Sequence, residues 1–417
     1  MLCAQSANPG LSLEQARALA LKNHPQVLAS EATYQRADQL TREARSAYYP
    51  TVTGVITGAQ AEVNSRVGAG ILNASRLFNH AGTGLTLSQL ITDSGRTKNL
   101  VANSRLQAQA TRQDYQATRH DVVWAVDQAY YEVLLAGQLV HVAEQTVKTR
   151  QTVVDQVTEL TKNKLKSNVD LSFAAVNLAD AKLMWLRAQD RLHAAYAELG
   201  RALGTQQDIE YQLRDEPMPP NPPADEAPLI TQAFQNRPEL ASLHLQTEAA
   251  QKFVYAERDL KRPSVTLMGV GGALPYINPG DANANITKTY ESVGINVQIP
   301  IFNGFLFSAR RQAAEYELQA AQQRSRDVQD RIARDVRTAY ERAKTAFEAI
   351  GAAQQLLTQA NLAMNLAQGR YDLGLASIVE LTQAQLGQTS AQVENLNAKY
   401  EYQEAYAALQ YALGLLH

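Results

Sequence analysis

The chain has a single cysteine, Cys3, among 417 residues, which excludes a disulfide framework and any cysteine-based zinc site. Its seven histidines stand at 24, 80, 120, 141, 193, 244 and 417, and no two share ligand spacing. His120-Asp121, in a helical stretch, is a lone pair and makes no metal site. The formal charge of −2 leaves no electrostatic footprint for nucleic acid. No run reaches the roughly 18 uninterrupted apolar residues of a membrane helix, so a membrane role has to come from strands or from a surface. Gly269-Val270-Gly271-Gly272 follows a strand pattern but runs into Ala273-Leu274-Pro275, which opens no helix, so it is not a nucleotide loop. No nucleophile, metal or phosphate constellation remains. The chain reads as a non-enzyme with no cofactor.

Proline is absent between 51 and 216 and between 301 and 417. A proline in a helix interior costs about 3 kcal/mol or more, so its absence permits very long helices. Residues 96–160 and 305–369 are rich in Ala, Gln, Arg, Leu and Val. About 65 helical residues span roughly 97 Å, more than an ordinary globular domain. Val126, Val133, Val140, Val147 and Val154 recur every seven residues, with Ala129, Ala136 and Ala143 three further on. Ala339, Ala346, Ala353, Ala360 and Ala367 repeat the step, interleaved with Ala343, Ile350, Leu357 and Met364. Such a/d seams predict coiled-coil packing. Trp124 and Trp185 are expected to pack at these seams. Breaks at Asn163–Asn168 and Gly369–Ser377 predict a return helix in each case, over 169–203 and 378–413.

Strands are expected between the prolines. Val293, Ile295, Val297 and Ile299 alternate with Ser292, Gly294, Asn296 and Gln298, a period of two with one apolar face. Leu85 and Leu87, then Val265 and Leu267, alternate likewise, and Thr51–Gly58 more weakly. This predicts two strands of about eight to ten residues in each half of the chain, joined by loop-like 59–82 and 273–289, which mix Gly, Asn, Ala and Pro. Tyr290 is a candidate for an aromatic girdle at a membrane surface.

The chain also repeats itself. Residues 11–58 overlay 224–271, with Pro25 on Pro238 and Pro50 on Pro263, an offset of 238 − 25 = 213. Further on, Asp93-Ser94-Gly95 matches Phe302-Asn303-Gly304 and Tyr131-Glu132 matches Tyr340-Glu341, at 340 − 131 = 209. Leu199–Gly204 matches Leu409–Gly414 at 414 − 204 = 210. The expected organisation is an N-terminal stub over 1–10, a first repeat over 11–213, a Pro-rich linker over 214–228 and a second repeat over 229–417. The stub is either an export-signal remnant or a disordered start, and Cys3 is a candidate lipidation site. Four strands cannot close a barrel, and an open edge in lipid leaves unpaired backbone groups at several kcal/mol each. If the strands cross a membrane, three copies would give twelve, an even number in the known range.

The chain resembles the TolC-like outer-membrane efflux proteins over essentially all of residues 11–414. The resemblance rests on Leu11-Ser12-Leu13-Glu14-Gln15-Ala16 with Leu21-Lys22-Asn23-His24-Pro25, on Tyr48-Tyr49-Pro50, on Gln298-Ile299-Pro300-Ile301-Phe302-Asn303-Gly304, and on Gly374-Leu375-Ala376-Ser377-Ile378-Val379-Glu380-Leu381. It implies a mainly α fold with a small transmembrane β part, in which a trimeric twelve-stranded β-barrel continues into a long periplasmic α-helical barrel of coiled-coil hairpins. It implies a homotrimer in outer-membrane lipid that carries substrates outward for efflux or type I secretion. Its implied partners are a periplasmic adaptor (membrane fusion) protein and an inner-membrane transporter.

The same resemblance places candidate residues at the periplasmic entrance. Glu380 matches one position of an acidic ring, and the second position reads Gln383. Asp170 is the duplicated equivalent of Glu380. Asp155 and Tyr371 match two members of a closing lock whose arginine position reads Ala376. Lys164, Ser167, Gly374 and Ser377 mark the hairpin tips where an adaptor would dock, with Lys164 where the second copy has Gly374. The competing reading is a structural coiled-coil scaffold with a small soluble sheet.

Overall fold

The computed structural model describes residues 10–60, 79–205, 211–278 and 287–416. Cys3, and with it the lipidation and export-signal readings, lies outside the described residues, as does most of the expected loop 59–82 and half of 273–289. The elements in order are α1 (Leu13–Asn23), α2 (Pro25–Ser46), β1 (Thr51–Ala59), β2 (Asn79–Thr92), α3 (Arg96–Lys162), α4 (Asn168–Leu203), α5 (Ala227–Asn236), α6 (Pro238–Asp259), β3 (Ser264–Asn278), β4 (Thr289–Gln298), α7 (Leu306–Asp372) and α8 (Ile378–Ala412). Two units share these elements. One joins the N-terminal stretch up to Thr33 with Arg112–Ala241 and the chain from Arg326 on; the other joins Tyr34–Thr111 with Ser242–Ser325. Among the described residues no helix is long and apolar enough to cross a membrane.

The element bounds reset the internal register. Up to the first strand of each half the offset is 213, as Pro25 and Pro238 open α2 and α6. Across the long hairpins it is 210 throughout: α3 and α7 start at 96 and 306 and end at 162 and 372, and α4 and α8 start at 168 and 378. The expected 209 is corrected by backbone and burial together. The left-handed pair before α3 is Ser94-Gly95 (φ 59° and 102°), and before α7 it is Gly304-Phe305 (62° and 67°). Likewise Tyr340 corresponds to Tyr130, not Tyr131. Both hydroxyls reach the backbone of the Pro-rich segment, Tyr130 at Arg214 O (2.7 Å), with Leu11 O also at 2.8 Å, and Tyr340 at Ala224 O (3.3 Å). Identity of letters misled by one residue; the requirement for a buried tyrosine on one helical face did not.

In the first unit the helices pack through alanine. The core gathers Ala16 and Ala20 of α1, Val126, Ala129, Tyr130, Val133 and Ala136 of α3, and Ala195, Leu199, Ala202 and Leu203 of α4. Small seam residues let helix backbones approach closely, and each larger aliphatic side chain buried contributes about 1.5–3 kcal/mol. The valine seam drifts, however. Val126 and Val133 are buried, but Val140, Val147 and Val154 are half-buried, and the buried heptad row continues as Ala136, Ala143, Arg150 and Val157. The alanine row, not the valine row, is the seam of α3. Gly369, expected in the break, lies inside α7, which ends three residues later. Asp121 is not partnerless: it accepts from the Tyr411 hydroxyl. Trp124 stacks on that same Tyr411 ring at 5.8 Å, a helix-packing contact as expected. The Pro-rich segment is a strap rather than a free linker, held by the Tyr402 hydroxyl on Pro220 O, Gln403 on Glu216 O and Lys399 on Asp215.

The second unit carries one antiparallel sheet in the order β1-β2-β3-β4. β2 and β3 run to 14 and 15 residues, longer than expected. Pro275 reads as a loop residue, but it lies in a bulge where Leu274 and Pro275 oppose the single Gly82, a position at which a sheet tolerates proline. The register sorts the faces. Val52 pairs with Leu87, Leu267 with Ile295 and Val265 with Val297, so one face is apolar. Thr53–Thr86, Thr51–Ser88 and Thr266–Asn296 share the other. The apolar face is uncovered within the chain: Ile56 is 89% exposed, Val293 79% and Ile295 70%. Tyr290 pairs with Gly272 on the opposite, polar face. Its hydroxyl lies where a side chain at Gly84 or Gly272 would otherwise point. It is thus a ring folded over two glycines, not a girdle residue.

Candidate functional site

The tips of the two hairpins are built by one motif written twice. At the end of α3 the Leu165 N–H donates to Leu160 O (2.8 Å) and the Lys164 N–H to Thr161 O (3.0 Å). At the end of α7 the Leu375 N–H donates to Arg370 O (2.8 Å) and the Gly374 N–H to Tyr371 O (2.9 Å). This pair of bonds satisfies the last helical carbonyls and needs a left-handed residue just past the helix. Lys164 (φ 59°) and Gly374 (φ 74°) fill that place. A serine then caps each return helix. The Ser167 hydroxyl accepts the Asp170 N–H at 3.1 Å, and the Ser377 hydroxyl accepts the Glu380 N–H at 3.2 Å.

The two acids diverge from there. The Asp170 carboxylate turns back to accept from the Ser167 N–H at 3.0 Å and the Ser167 hydroxyl at 2.9 Å, completing a capping box. Those bonds, backbone first, hold its pKa below the ordinary aspartate value. Glu380 leaves its cap N–H and pairs with Arg370 Nε at 3.1 Å, both side chains about half exposed. Position 160, the counterpart of Arg370, is Leu160, so the first hairpin has no such cation. Gln383 is exposed one turn along α8. Glu380, which the family resemblance assigns to an acidic ring, is therefore paired with Arg370, a residue that sequence matching alone did not single out. Its signal was the cation in the last turn of α7, ten residues before Glu380.

Asp155 and Tyr371 are not joined in the chain. Asp155 accepts from Gln151 at 2.9 Å on the solvent side of α3. Tyr371 is buried, and its hydroxyl has no hydrogen-bond partner among the described residues. Burial first, then the charges of Asp170 and Asp372, raise its pKa. Its ring packs with Val153 and Val157 of α3, Ala174 of α4, and Ile378 and Leu381 of α8. The Lys166 ammonium lies over the same ring, 4.6 Å from its centroid. Tyr371 thus holds the tips of both hairpins together by packing and cation–π contact. Ala376, at the expected arginine position, is buried in the same cluster. Beside the first tip, Val169, Phe173 and Val176 line an open apolar groove of about 350 Å³.

A duplicated chain that pairs long helical hairpins with a sheet apolar on one uncovered face defines an outer-membrane channel. The family model for outer membrane efflux proteins matches residues 16–205 and 229–415, and the chain belongs to that family. In sequence it is similar to the outer membrane efflux protein BepC of Brucella suis, 23% identical over 400 residues, covering 95% of this chain and 83% of the relative. It is similar to the outer membrane protein TolC of Vibrio cholerae, 24% identical over 412 residues with 95% and 89% covered. A third relative is the alkaline protease secretion protein AprF of Pseudomonas aeruginosa, 24% identical over 419 residues with 95% and 83% covered. In fold it is similar to CusC, with a TM-score of 0.82 at 20% identity over 99% of this chain and 95% of that one. The outer membrane protein VceC of Vibrio cholerae also reaches 0.82, at 18% identity over 96% of each chain. The chain is a Gram-negative outer-membrane duct that extends into the periplasm, and the scaffold reading falls.

Proposed function

We propose that three copies of the chain close into one exit duct, which receives its cargo from a periplasmic adaptor and an inner-membrane transporter and does no chemistry of its own. The observation that carries this reading is the sheet: β1 and β4 each pair on one side only, and Val52, Ile56, Val293, Ile295 and Val297 share one exposed apolar face. The apolar face suits lipid, but the unpaired edges are not tolerable there unless strands of neighbouring copies complete the wall. Three copies make twelve strands with the apolar face toward lipid and the Thr- and Ser-rich face toward water. The six hairpins then form the periplasmic wall. The adaptor docks at the tips around Lys164, Ser167, Gly374 and Ser377, against the apolar groove at Val169 and Phe173. Parting the hairpins at the Tyr371 cluster opens the entrance.

The entrance carries Asp170, and Glu380 with Arg370, from each copy. Converging like charges in a narrow pore set ion preference. Because the Glu380–Arg370 pair is neutral as a unit, its two halves can be tested against each other in planar bilayers. Arg370→Gln should raise cation preference, and Glu380→Gln should lower it or reverse it toward anions. Unchanged selectivity in both variants would refute the entrance assignment, and purification of the detergent-extracted protein as a stable monomer would refute the duct.

A further inference from the structure

One polar cavity lies among helices that otherwise pack through alanine and leucine. Between α3 and α8 a space of about 70 Å³ is lined by Thr146, Thr149, Arg150, Gln385, Gln388 and Thr389. That is several times the room that one water-sized sphere needs. Arg150 is only 5% exposed and Gln385 6%. The guanidinium is anchored on one side, where Nη1 donates to the carbonyl of Asn177 in α4 at 2.8 Å. The Asn177 amide goes on to Thr382 of α8 at 3.0 Å. The Arg150 Nε–H, however, is buried with no hydrogen-bond partner among the described residues, and so is the Nε2 amide of Gln385. The neighbouring groups spend their own donors elsewhere: Thr146, Thr149 and Thr389 donate to carbonyls one turn back, and Gln388 donates to Asn361. The two buried groups there that lack a partner are thus both donors, beside a buried positive charge.

A buried cation without a counter-charge is costly, and a buried donor without an acceptor adds to that cost. The carboxylate whose charge reaches Arg150 belongs to Asp180, exposed on α4, and burial still draws the guanidinium's pKa down. At the 210-residue offset the same places hold Ala360 for Arg150, Ala175 for Gln385 and Leu356 for Thr146, so the cluster belongs to one copy alone. We propose that this cavity is a binding site for one small monovalent inorganic anion of the halide class, held between Arg150 Nε and Gln385 Nε2. The anion supplies the missing negative charge and both missing acceptors. It ties the first hairpin to the last helix of the same chain, once per chain.

The test uses the purified full-length protein in detergent, melted in sodium chloride, sodium bromide or sodium gluconate at matched ionic strength and pH. Chloride and bromide should raise the melting temperature saturably above gluconate. Gln385→Leu, which keeps the guanidinium and removes one donor, should weaken the halide dependence about tenfold or more. Arg150→Met should abolish the dependence. Crystals grown in bromide should show an anomalous peak between Arg150 and Gln385. Equal melting in all three salts, a halide dependence retained in Gln385→Leu, or a water without anomalous signal at that position would each overturn the proposal.

Discussion

The two hairpin tips allow a backbone effect to be measured against an internal reference. Lys164 and Gly374 occupy the same left-handed position in the same two-bond turn. A left-handed residue with a Cβ carries strain of roughly 1–2 kcal/mol. Glycine escapes it but gives back about 0.5–1 kcal/mol through the greater freedom of its unfolded chain. Lys164→Gly should therefore stabilise the first tip by about 0.5–1 kcal/mol. Gly374→Lys should destabilise the second by a similar amount. A Cβ at Gly374 meets no atom within 4 Å, so that cost is backbone strain and not a clash. The effect is local, and amide hydrogen exchange reads it best. The Leu165 N–H, bonded to Leu160 O at 2.8 Å, should exchange about two- to fivefold more slowly in Lys164→Gly. The Leu375 N–H should exchange faster by a like factor in Gly374→Lys. Lys164→Ala removes the charge but keeps the Cβ, so it should leave Leu165 as in the wild type. The reasoning fails if Lys164→Ala slows exchange as much as Lys164→Gly does, because charge rather than backbone would then set the tip's stability.

Three further outcomes follow from buried or capped groups. Arg17 grips Asp127 through two bonds of 2.6 Å, and the Asp127 side chain is fully buried. Arg17→Met should cost about 3–5 kcal/mol in thermal unfolding, and Asp127→Leu added to it should recover much of that loss. Ser167→Ala removes the first cap and should cost about 1 kcal/mol locally. The depressed pKa of Asp170 stabilises the tip above the unfolded aspartate value and is lost as pH falls through the folded pKa, so Ser167→Ala should also flatten the acid dependence of exchange near Leu171. In the sheet, a Cβ at Gly272 would meet the Thr83 carbonyl and the Tyr290 ring at once. Gly272→Val should therefore reduce the yield of assembled protein in detergent, seen by size exclusion, while Gly294→Val, where nothing lies within 4 Å, should not.

Most of the architecture was legible because its signals are periodic and long. A stretch without proline that repeats an apolar residue every seven positions has one stable solution in water, and α3 and α7 follow it for 67 residues each. Alternation likewise located β4. What failed were readings of single residues. Pro275 looked like a loop but sits in a bulge, and Val140, Val147 and Val154 fit a heptad that the helix leaves as it turns toward other neighbours. Tyr290 looked like a girdle ring, yet its side is set by register, and a shift of one residue changes the face. At the tips the turn and caps were visible in Gly374, Ser377 and Ser167. The partner of Glu380 and the packing role of Tyr371 were not, because both depend on which side chains the turn brings back across the hairpin.

The places where the copies disagree share a physical logic. Along the buried seam the copies keep some equivalent residues, such as Tyr130 and Tyr340. One difference with chemical content lies nearer the core, Arg17 and Asp127 against Ile230 and Arg337, and others lie on the distal part of the hairpins: Lys164 against Gly374, Leu160 against Arg370, Arg150 against Ala360 and Ala175 against Gln385. In the trimer proposed above, six hairpins of like backbone would alternate around the ring, so each difference becomes a threefold pattern laid on a nearly sixfold wall. A partner that engaged only what the copies share would find six equivalent grooves. One that engages Lys164 or the Glu380–Arg370 pair would find two kinds of groove, three of each. Exchanging Leu160 and Arg370 between the copies preserves composition and net charge while moving the cation from one kind of groove to the other. If the adaptor reads the difference, its binding should fall on that exchange; if it reads only the shared backbone, binding should hold.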